Sequence, residues 1–312
     1  MHRKIKGKTV EHLGEFGLIR EIKKWLPTMH KGIKQGIGDD AAVISASGNK
    51  YQLLTIDTIV EDVDFIRNRA APREIGWKAL AVNLSDIAAM GGEPKLALVS
   101  LTLPTKTSAE FVKGFYKGLG QLASKFGVSI VGGDLSRGSK ISSSVAVLGE
   151  VKKKELVLRQ SAKVGDFICV SGRLGGSILG KHLNFMPRIR EGRLITKFGA
   201  SAMIDLSDGL GQDLNHLLPN SRTAFMIDER KVPVSQAARR LARGNAKKAL
   251  IHAFSDGEDF ELLFTIAPQK FQSLKKVWAR RFTTPLTVIG RVVKWRVGNV
   301  PGQNKSLGYH HF

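Results

Sequence analysis

The chain has 312 residues, of which 42% are hydrophobic and 7% aromatic, with 33 glycines, one cysteine and a net charge of +22. That length suggests two domains, and that mixture excludes a disordered chain or a coiled coil in favour of a glycine-rich α/β fold with many tight turns. No stretch approaches the ~18 apolar residues of a membrane span, and the lone Cys169 leaves no disulfide framework or thiolate zinc cluster.

The opening segment MHRKIKGKTVEHLGE is basic and lacks the apolar core of a secretory signal, so a reducing, cytoplasmic setting is expected. YQLLTIDT (51–58) reads as the first strand. PREIGWKALAVNLSDIAAMG (72–91) starts near a proline and ends at a glycine, which predicts a helix. KLALVSLTL (95–103) is a strand, and SAEFVKGFYKGLGQLASKFG (108–127) an amphipathic helix ending at Gly127. VSIVGGD and ISSSVAVLGEV add strands. The charged stretch KKKELVLRQSAKVGD (152–166) is the candidate boundary, giving domains 1–150 and 151–312.

Beyond it FICVSG is a strand, and helices are expected around 174–183 and 187–198. SAMIDLS is a strand, DGLGQDLNHLL a helix and TAFMIDE a strand; FELLFTIAP, a helix over 268–281 and TVIGRVV complete the second run. NLSDIAAMGG faintly echoes DLSDGLGQDL, too briefly to establish a duplication.

The positive charge gathers in EVKKKELVLRQSAK, MPRIREGRLITK, QAARRLARGNAKK and KFQSLKKVWARR. Most of these carry apolar residues at helical spacing, which puts the bases on outer helix faces. No zinc finger, aromatic RNA-binding motif or helix-turn-helix accompanies them, so a solvated surface is preferred to a nucleic-acid site.

Two segments imitate phosphate loops. GGSILGKH (175–182) follows a strand and has Gly175, Gly180 and Lys181 in Walker spacing, but His182 stands where a hydroxyl would ligate Mg²⁺. A glycine-rich turn capping a helix is the expectation. GIGDDA (36–41) resembles a dinucleotide fingerprint but precedes the first strand instead of following one.

The informative signal is a set of carboxylates in small, glycine-rich or apolar settings. Asp39 and Asp40 lie in GIGDDAAV, Asp57 in LLTIDTI, Asp86 in NLSDIAAMGG and Asp134 in IVGGDLSRG; Asp205, Asp208 and Asp213 lie in MIDLSDGLGQD, and Asp256, Glu258, Asp259 and Glu261 in SDGEDFELLF. Each alone is an ordinary cap or turn residue. Together, few have a basic neighbour, and carboxylates at the ends of apolar strands call for a positive partner. Mg²⁺ takes a few carboxylates plus substrate phosphates. Aspartates on strand ends, flanked by glycine turns whose amides can approach phosphate, suit a metal-dependent nucleotide enzyme.

GEFGLI (14–19), GIGDDAAV, TIDTIVEDVDF, KALAVNLSDIAAMGG, GGDLSRG, PRIREG, AMIDLSDGL, GEDFELLF and the terminal GYHHF, in that order, closely resemble the thiamine-monophosphate kinase family, of the aminoimidazole-ribonucleotide synthetase and selenophosphate synthetase superfamily. The resemblance implies an α/β fold of α+β type. Its N-terminal ATP- and Mg²⁺-binding domain forms a sheet that joins a second copy in a cross-dimer barrel. Its C-terminal domain has a mixed sheet covered by helices, and the active site lies in the cleft between the two. The implied activity is ATP-dependent phosphorylation of thiamine monophosphate, with several Mg²⁺ ions and no membrane or nucleic-acid partner.

By the same resemblance the metal ligands are Asp40, Thr55, Asp57, Asp86, Asp134, Asp205 and Asp208, with Asp57 and Asp208 central to catalysis. Gly133, Asp134, Arg159 and Ser207 contact the nucleotide, and Asp64, Glu258 and Tyr309 lie toward the thiamine substrate. One departure stands out: the family's EGVHF is here EDVDF, so Asp64 replaces a histidine and presents a carboxylate that would repel phosphate unless a metal or lysine intervenes. Another ATP-using member of the superfamily, or a non-catalytic basic nucleotide or nucleic-acid binder, is the alternative. The reactive cysteine of selenophosphate synthetases and the C-terminal cysteine of the hydrogenase-maturation relative are absent.

Overall fold

The computed structural model describes residues 9–27, 29–218 and 223–294. Helix α1 (Val10–Trp25) is capped by Thr9 and kinked at Gly14. Strands β1 (Ile33–Gln35), β2 (Ala42–Ser45) and β3 (Lys50–Val60) follow, then α2 (Pro72–Ala89), β4 (Glu93–Leu103), α3 (Ala109–Phe126), β5 (Ser129–Arg137) and β6 (Ser142–Lys152). These strands form one six-stranded sheet in the order β1-β2-β3-β6-β4-β5. Its pairings are antiparallel except β4 with β5, the two strands joined by the α3 crossover.

The sheet buries one face. Along β6, Val145, Val147 and Val151 are buried and the residues between them are half-buried, the two-residue period of a pleated strand. On β3 the same period puts Leu53, Thr55 and Ile59 inside and Leu54, Ile56 and Thr58 outside. Helix α2 covers the buried side. It is apolar almost all round because it is enclosed almost all round: sheet one and α3 lie against it, and so do α5 and β8 of the second half. Its crossing with α3 is set by glycine. A Cβ on Gly118 would lie 1.8 Å from the Arg73 carbonyl oxygen, and one on Gly76 would lie 1.9 Å from that of Phe115. Helix α3 begins at the Ser108 cap and ends at Gly127 in the left-handed region.

The second half contains β7 (Phe167–Ser171), α4 (Lys181–Asn184), α5 (Ile189–Lys197), β8 (Ala202–Asp205), α6 (Leu210–His216), β9 (Thr223–Ile227), α7 (Gln236–Leu241), α8 (Ala246–Ser255), β10 (Leu262–Ile266), α9 (Pro268–Arg281) and β11 (Leu286–Lys294). Its five strands run β8-β10-β7-β11-β9. The expected mixed pairing is not found there: the four pairings are all antiparallel. β7 and β8 do run the same way, but β10 threads between them in the opposite sense, so the two never bond directly.

The helix expected over 174–183 is reduced to a 3-10 turn at Ser177–Leu179 and the four-residue α4. Gly175, Gly176 and Gly180 all take positive φ, which no continuing right-handed helix accepts. The main core runs from sheet one through α2 and α3 into Cys169, Met203 and Phe264 of the second sheet, and a smaller cluster fills the far side of that sheet around Leu174, Leu210 and Ala253.

Candidate active site

A cavity of about 720 Å³ opens where the two sheets approach α2, and both halves line it. Asp40 comes from the turn between β1 and β2, Thr55 and Asp57 from β3, and Asp86 from α2. Arg159 comes from the segment after β6, Asp205, Ser207 and Asp208 from the end of β8, and Glu258 from the loop before β10. Among the described residues, eleven carboxylates line this space against two permanent cations, Lys78 and Arg159, in a chain whose net charge is +22. The acids are therefore concentrated here against the overall composition.

Local structure explains each placement. The alternation that buries Leu53 and Ile59 also turns Thr55 and Asp57 toward α2. There the Thr55 hydroxyl donates to Asp86 Oδ2, and the Asp57 amide donates to the Asn83 side chain at 2.9 Å. Beside Asp86 on α2, the Ser85 hydroxyl donates to Asp205 Oδ2 at 2.6 Å, tying α2 to β8 of the other half. Asp40, Asp86 and Asp205 thus each bring an oxygen within 4.8 Å of the others. Arg159 grips Asp40 Oδ1 through Nε at 3.0 Å and through Nη2. Its backbone amide donates to Asp39 Oδ2 at 3.2 Å.

The electrostatics follow from crowding. Burial, then the charges of Asp57, Asp205 and Asp40, push the Asp86 carboxyl well above its usual range. Burial and the Asp40 charge raise Asp205 to about 7, and burial with Asp40 raises Asp39 to about 7. Burial alone would lower the Arg159 pKa, but the Asp40 carboxylate more than offsets it and the guanidinium stays charged. Asp40 Oδ2 is buried with no hydrogen-bond partner among the described residues. An unpartnered buried carboxylate oxygen beside two more acids is costly unless a cation completes the site. The donors are all oxygen, the chemistry of Mg²⁺ and unlike that of a thiolate or imidazole metal. The residues present fit that ion.

A second group of potential ligands, Asp208, Asp213 and His216, lies on the other wall. Asp213 Oδ2 accepts the amides of Asp208 and Gly209, which closes the first turn of α6. His216 packs at a 42° tilt against Phe16 of the GEFGLI segment, ring centroids 4.6 Å apart, and burial lowers its pKa to about 4, so it stands neutral.

The loop carrying Glu258 is held from below by the segment that imitates a Walker loop. Gly175 donates its amide to Asp259 Oδ2 at 2.7 Å, Gly176 to Asp256 Oδ2 at 2.8 Å, and the Ser177 hydroxyl donates to the Gly257 carbonyl at 2.8 Å. Those amides therefore hold side-chain carboxylates. Backbone crowding requires the glycines as well: a Cβ on Gly176 would meet the Ala238 nitrogen at 2.4 Å. Lys181 serves Glu261 at 3.0 Å, and Arg188 grips the same carboxylate through both Nε and Nη2 at 2.7 Å.

Not every expected residue joins the cavity. Gly133 and Asp134 sit on β5, the exposed edge of sheet one, where Asp134 accepts from Ser136 Oγ at 2.7 Å, and neither lines the cavity of this chain. Tyr309 falls outside the described residues. Asp64 lines the cavity, but its Oδ2 accepts the Val60 amide at 2.7 Å and so closes the turn after β3. Lys78 reaches this turn through the main chain and pairs with a different acid: it donates to the Asp64 carbonyl at 2.7 Å and to Glu258 Oε1. Nothing in the composition marked Lys78 among 49 basic residues. The usable signal was spacing, because Lys78, Val82 and Asp86 stand at i, i+4 and i+8 of α2 and all three line the cavity.

The chain and its fold are similar to known proteins. A family model described as AIR synthase related protein, N-terminal domain, matches residues 38–151. The thiamine-monophosphate kinase of Rhodopirellula baltica is 40% identical over 271 residues, covering 84% of this chain and 85% of that protein. That of Bacillus subtilis is 35% identical over 96% of this chain and 100% of its own length. A solved structure described as AaThiL complexed with AMPPCP and TMP superposes with a TM-score of 0.84 at 34% identity, covering 98% of this chain and 99% of the other.

Proposed function

The chain belongs to the thiamine-monophosphate kinase family, and from that premise we propose that it moves the terminal phosphoryl group of ATP onto the phosphate of thiamine monophosphate, giving thiamine diphosphate. The observation that carries this reading is the convergence of Asp40, Asp86 and Asp205 from three separate segments, with one Asp40 oxygen left without a partner among the described residues. Asp40, Thr55, Asp57, Asp86, Asp205 and Asp208 are the residues that would hold several Mg²⁺ ions, with Asp134 as a further ligand. When bound, Mg²⁺ would supply neutralisation of the phosphate charge.

The rest is the work of the chain's own groups. The acceptor oxygen is a phosphate oxygen already ionised near neutral pH, so no side chain has to remove a proton. Alignment and charge neutralisation then suffice for an in-line transfer. Arg159 keeps its charge and is anchored on Asp40, which suits it to a nucleotide phosphate. Asp57 is held toward α2 by the bond from its amide to Asn83. Ser207 presents its carbonyl to the Glu258 amide at 2.7 Å, which joins the nucleotide side of the site to the acceptor side. Glu258, Asp64 and Tyr309 are assigned to the thiamine side.

We assign ATP and metal binding and dimerisation to residues 1–150, and completion of the site to 151–312. The outer face of sheet one exposes Leu54, Ile56, Leu96 and Leu98, Ile56 at 64%, an apolar surface that a second copy would cover. Dimerisation through this face also accounts for Gly133 and Asp134, which stand on the same sheet and outside the cavity of their own protomer. No helix among the described residues is long and apolar enough to cross a membrane, and the buried free thiol of Cys169 fits a cytoplasmic setting.

The test is ADP release by purified protein with ATP and Mg²⁺ against thiamine, thiamine monophosphate and hydroxymethylpyrimidine phosphate. Turnover is expected with thiamine monophosphate and a divalent cation only. Asp57→Asn and Asp208→Asn should each lose at least about a thousandfold in kcat while keeping the wild-type circular dichroism spectrum. Wild-type rates in both variants would defeat the metal assignment.

A further inference from the structure

Lys78 is fully buried, at 0% exposure, in the interior of α2. A lysine in such a place is held by its partners or not tolerated at all. Its two acceptors come from different halves of the chain: the Asp64 carbonyl and the Glu258 carboxylate. Glu258 is itself fixed at the main chain, with φ at +52° and its amide donating to the Ser207 carbonyl. A non-glycine residue in that region is held there by its surroundings. Lys78 takes Oε1, and the Glu258 side chain remains 31% exposed on the cavity wall. One carboxylate oxygen is locked and the other is offered to whatever enters.

The same helix carries Asp86 two turns further on, on the same face. Eight residues of α-helix span about 12 Å along the axis. One rigid element thus fixes both the acid cluster and the group that aims Glu258.

We propose that Lys78 is a positioning residue for the acceptor: it holds Glu258 so that the free oxygen meets the cationic, N–H-bearing organic half of the substrate, and α2 sets the distance from that contact to the acid cluster. The proposal rests on the reading of Glu258 as an acceptor contact. Without Lys78, Glu258 loses its only ion-pair partner among the described residues and stands among ten other carboxylates lining the cavity, which would repel it.

The experiment compares Lys78→Met, Glu258→Gln and the double variant in steady-state kinetics, with Mg²⁺-dependent binding of a non-hydrolysable ATP analogue as the control. Lys78→Met should raise KM for thiamine monophosphate at least tenfold and leave nucleotide affinity within about threefold of wild type. Because Lys78 acts through Glu258, the double variant should be no worse than Glu258→Gln alone. Multiplicative defects, or equal losses in nucleotide and acceptor affinity, overturn the proposal. If Lys78→Met does not fold, Lys78→Gln, which keeps a polar end but is uncharged and one bond shorter and so forfeits the ion pair to Glu258, carries the same comparison. If neither folds while Glu258→Gln does, Lys78 is a folding residue and the proposal is wrong. Wild-type protein inactive on thiamine monophosphate would defeat the function proposed above. A Glu258→Gln variant with unchanged acceptor KM would defeat the Glu258 assignment, and a defect in Glu258→Gln but not in Lys78→Met would defeat this inference alone.

Discussion

Replacing Asp205 with Asn should stabilise the metal-free protein while destroying its metal site. Asp205 is 2% exposed at the end of β8, and burial, then the Asp40 charge, lift its pKa from 3.8 to about 7 against the bond from Ser85. The sign follows from proton counting. The folded protein keeps a proton on Asp205 that the unfolded chain releases above its ordinary pKa, so stability falls as pH rises from 3.8 to about 7 and stays low above that. A shift of roughly three units corresponds to about 4 kcal/mol at full ionisation. Asn keeps the shape and still accepts from Ser85 but carries no charge. With the other acids relaxing, the expected gain in EDTA is about 2–4 kcal/mol at pH 8, roughly 4–8 °C in Tm, and about 1 kcal/mol at pH 5. Thermal unfolding of both proteins at the two pH values reads this directly, and added Mg²⁺ should stabilise the wild type alone. An Asp205→Asn protein that is less stable than wild type at pH 8 without divalent ions, or equally stabilised at both pH values, would refute the account of a charge-crowded site.

The same raised carboxyls make metal uptake a proton-releasing event. Calorimetry of Mg²⁺ binding in buffers of different ionisation enthalpy should show about one proton released per ion near pH 6 and none near pH 9, with affinity rising up to about tenfold per pH unit below 7. Gly118→Ala, whose Cβ would lie 1.8 Å from the Arg73 carbonyl, should lose about 3 kcal/mol in urea unfolding. Gly120→Ala, on the same helix with nothing within 4 Å, should instead gain about 0.5–1 kcal/mol. Leu98→Asp, on the outer face of sheet one, should convert the proposed dimer to a monomer in light scattering while monomer secondary structure persists.

The elements legible in the sequence are those with long, regular periods. α2 has Pro72 at its start, α3 has the Ser108 cap and Gly127, and β3, β4 and β6 each run eleven residues. The three- and four-residue strands β1 and β2 carry too little pattern to be read. The misread helix at 174–183 shows the limit of periodicity: its apolar spacing is helical, but three glycines with positive φ and the two carboxylates on its amides impose a turn. At the site, the aspartates were visible because acids in glycine-rich or apolar settings are out of place by composition. Lys78 was not, since its meaning lies in two long-range contacts, 14 and 180 residues away. Asp134 marks another boundary, because its glycine-rich setting matches that of the cavity aspartates although it stands on the exposed edge strand β5.

The cavity and the fold state the same constraint in different terms. Asp40 and Asp86 belong to the first half and Asp205 to the second, so the acids that repel one another are also those that face across the join. The chain opposes that repulsion without a metal ion by three means: Arg159 on Asp40, the Thr55 and Ser85 hydroxyls on Asp86 and Asp205, and protons retained near neutral pH on carboxyls that burial and mutual charge have lifted. Each counter is incomplete, as the unpartnered Asp40 oxygen records. A core of apolar residues at these positions would be more stable. Retaining the acids leaves the junction between the halves weakest where a divalent cation and its phosphates would strengthen it most, so ligand binding and closure of the join draw on the same free energy.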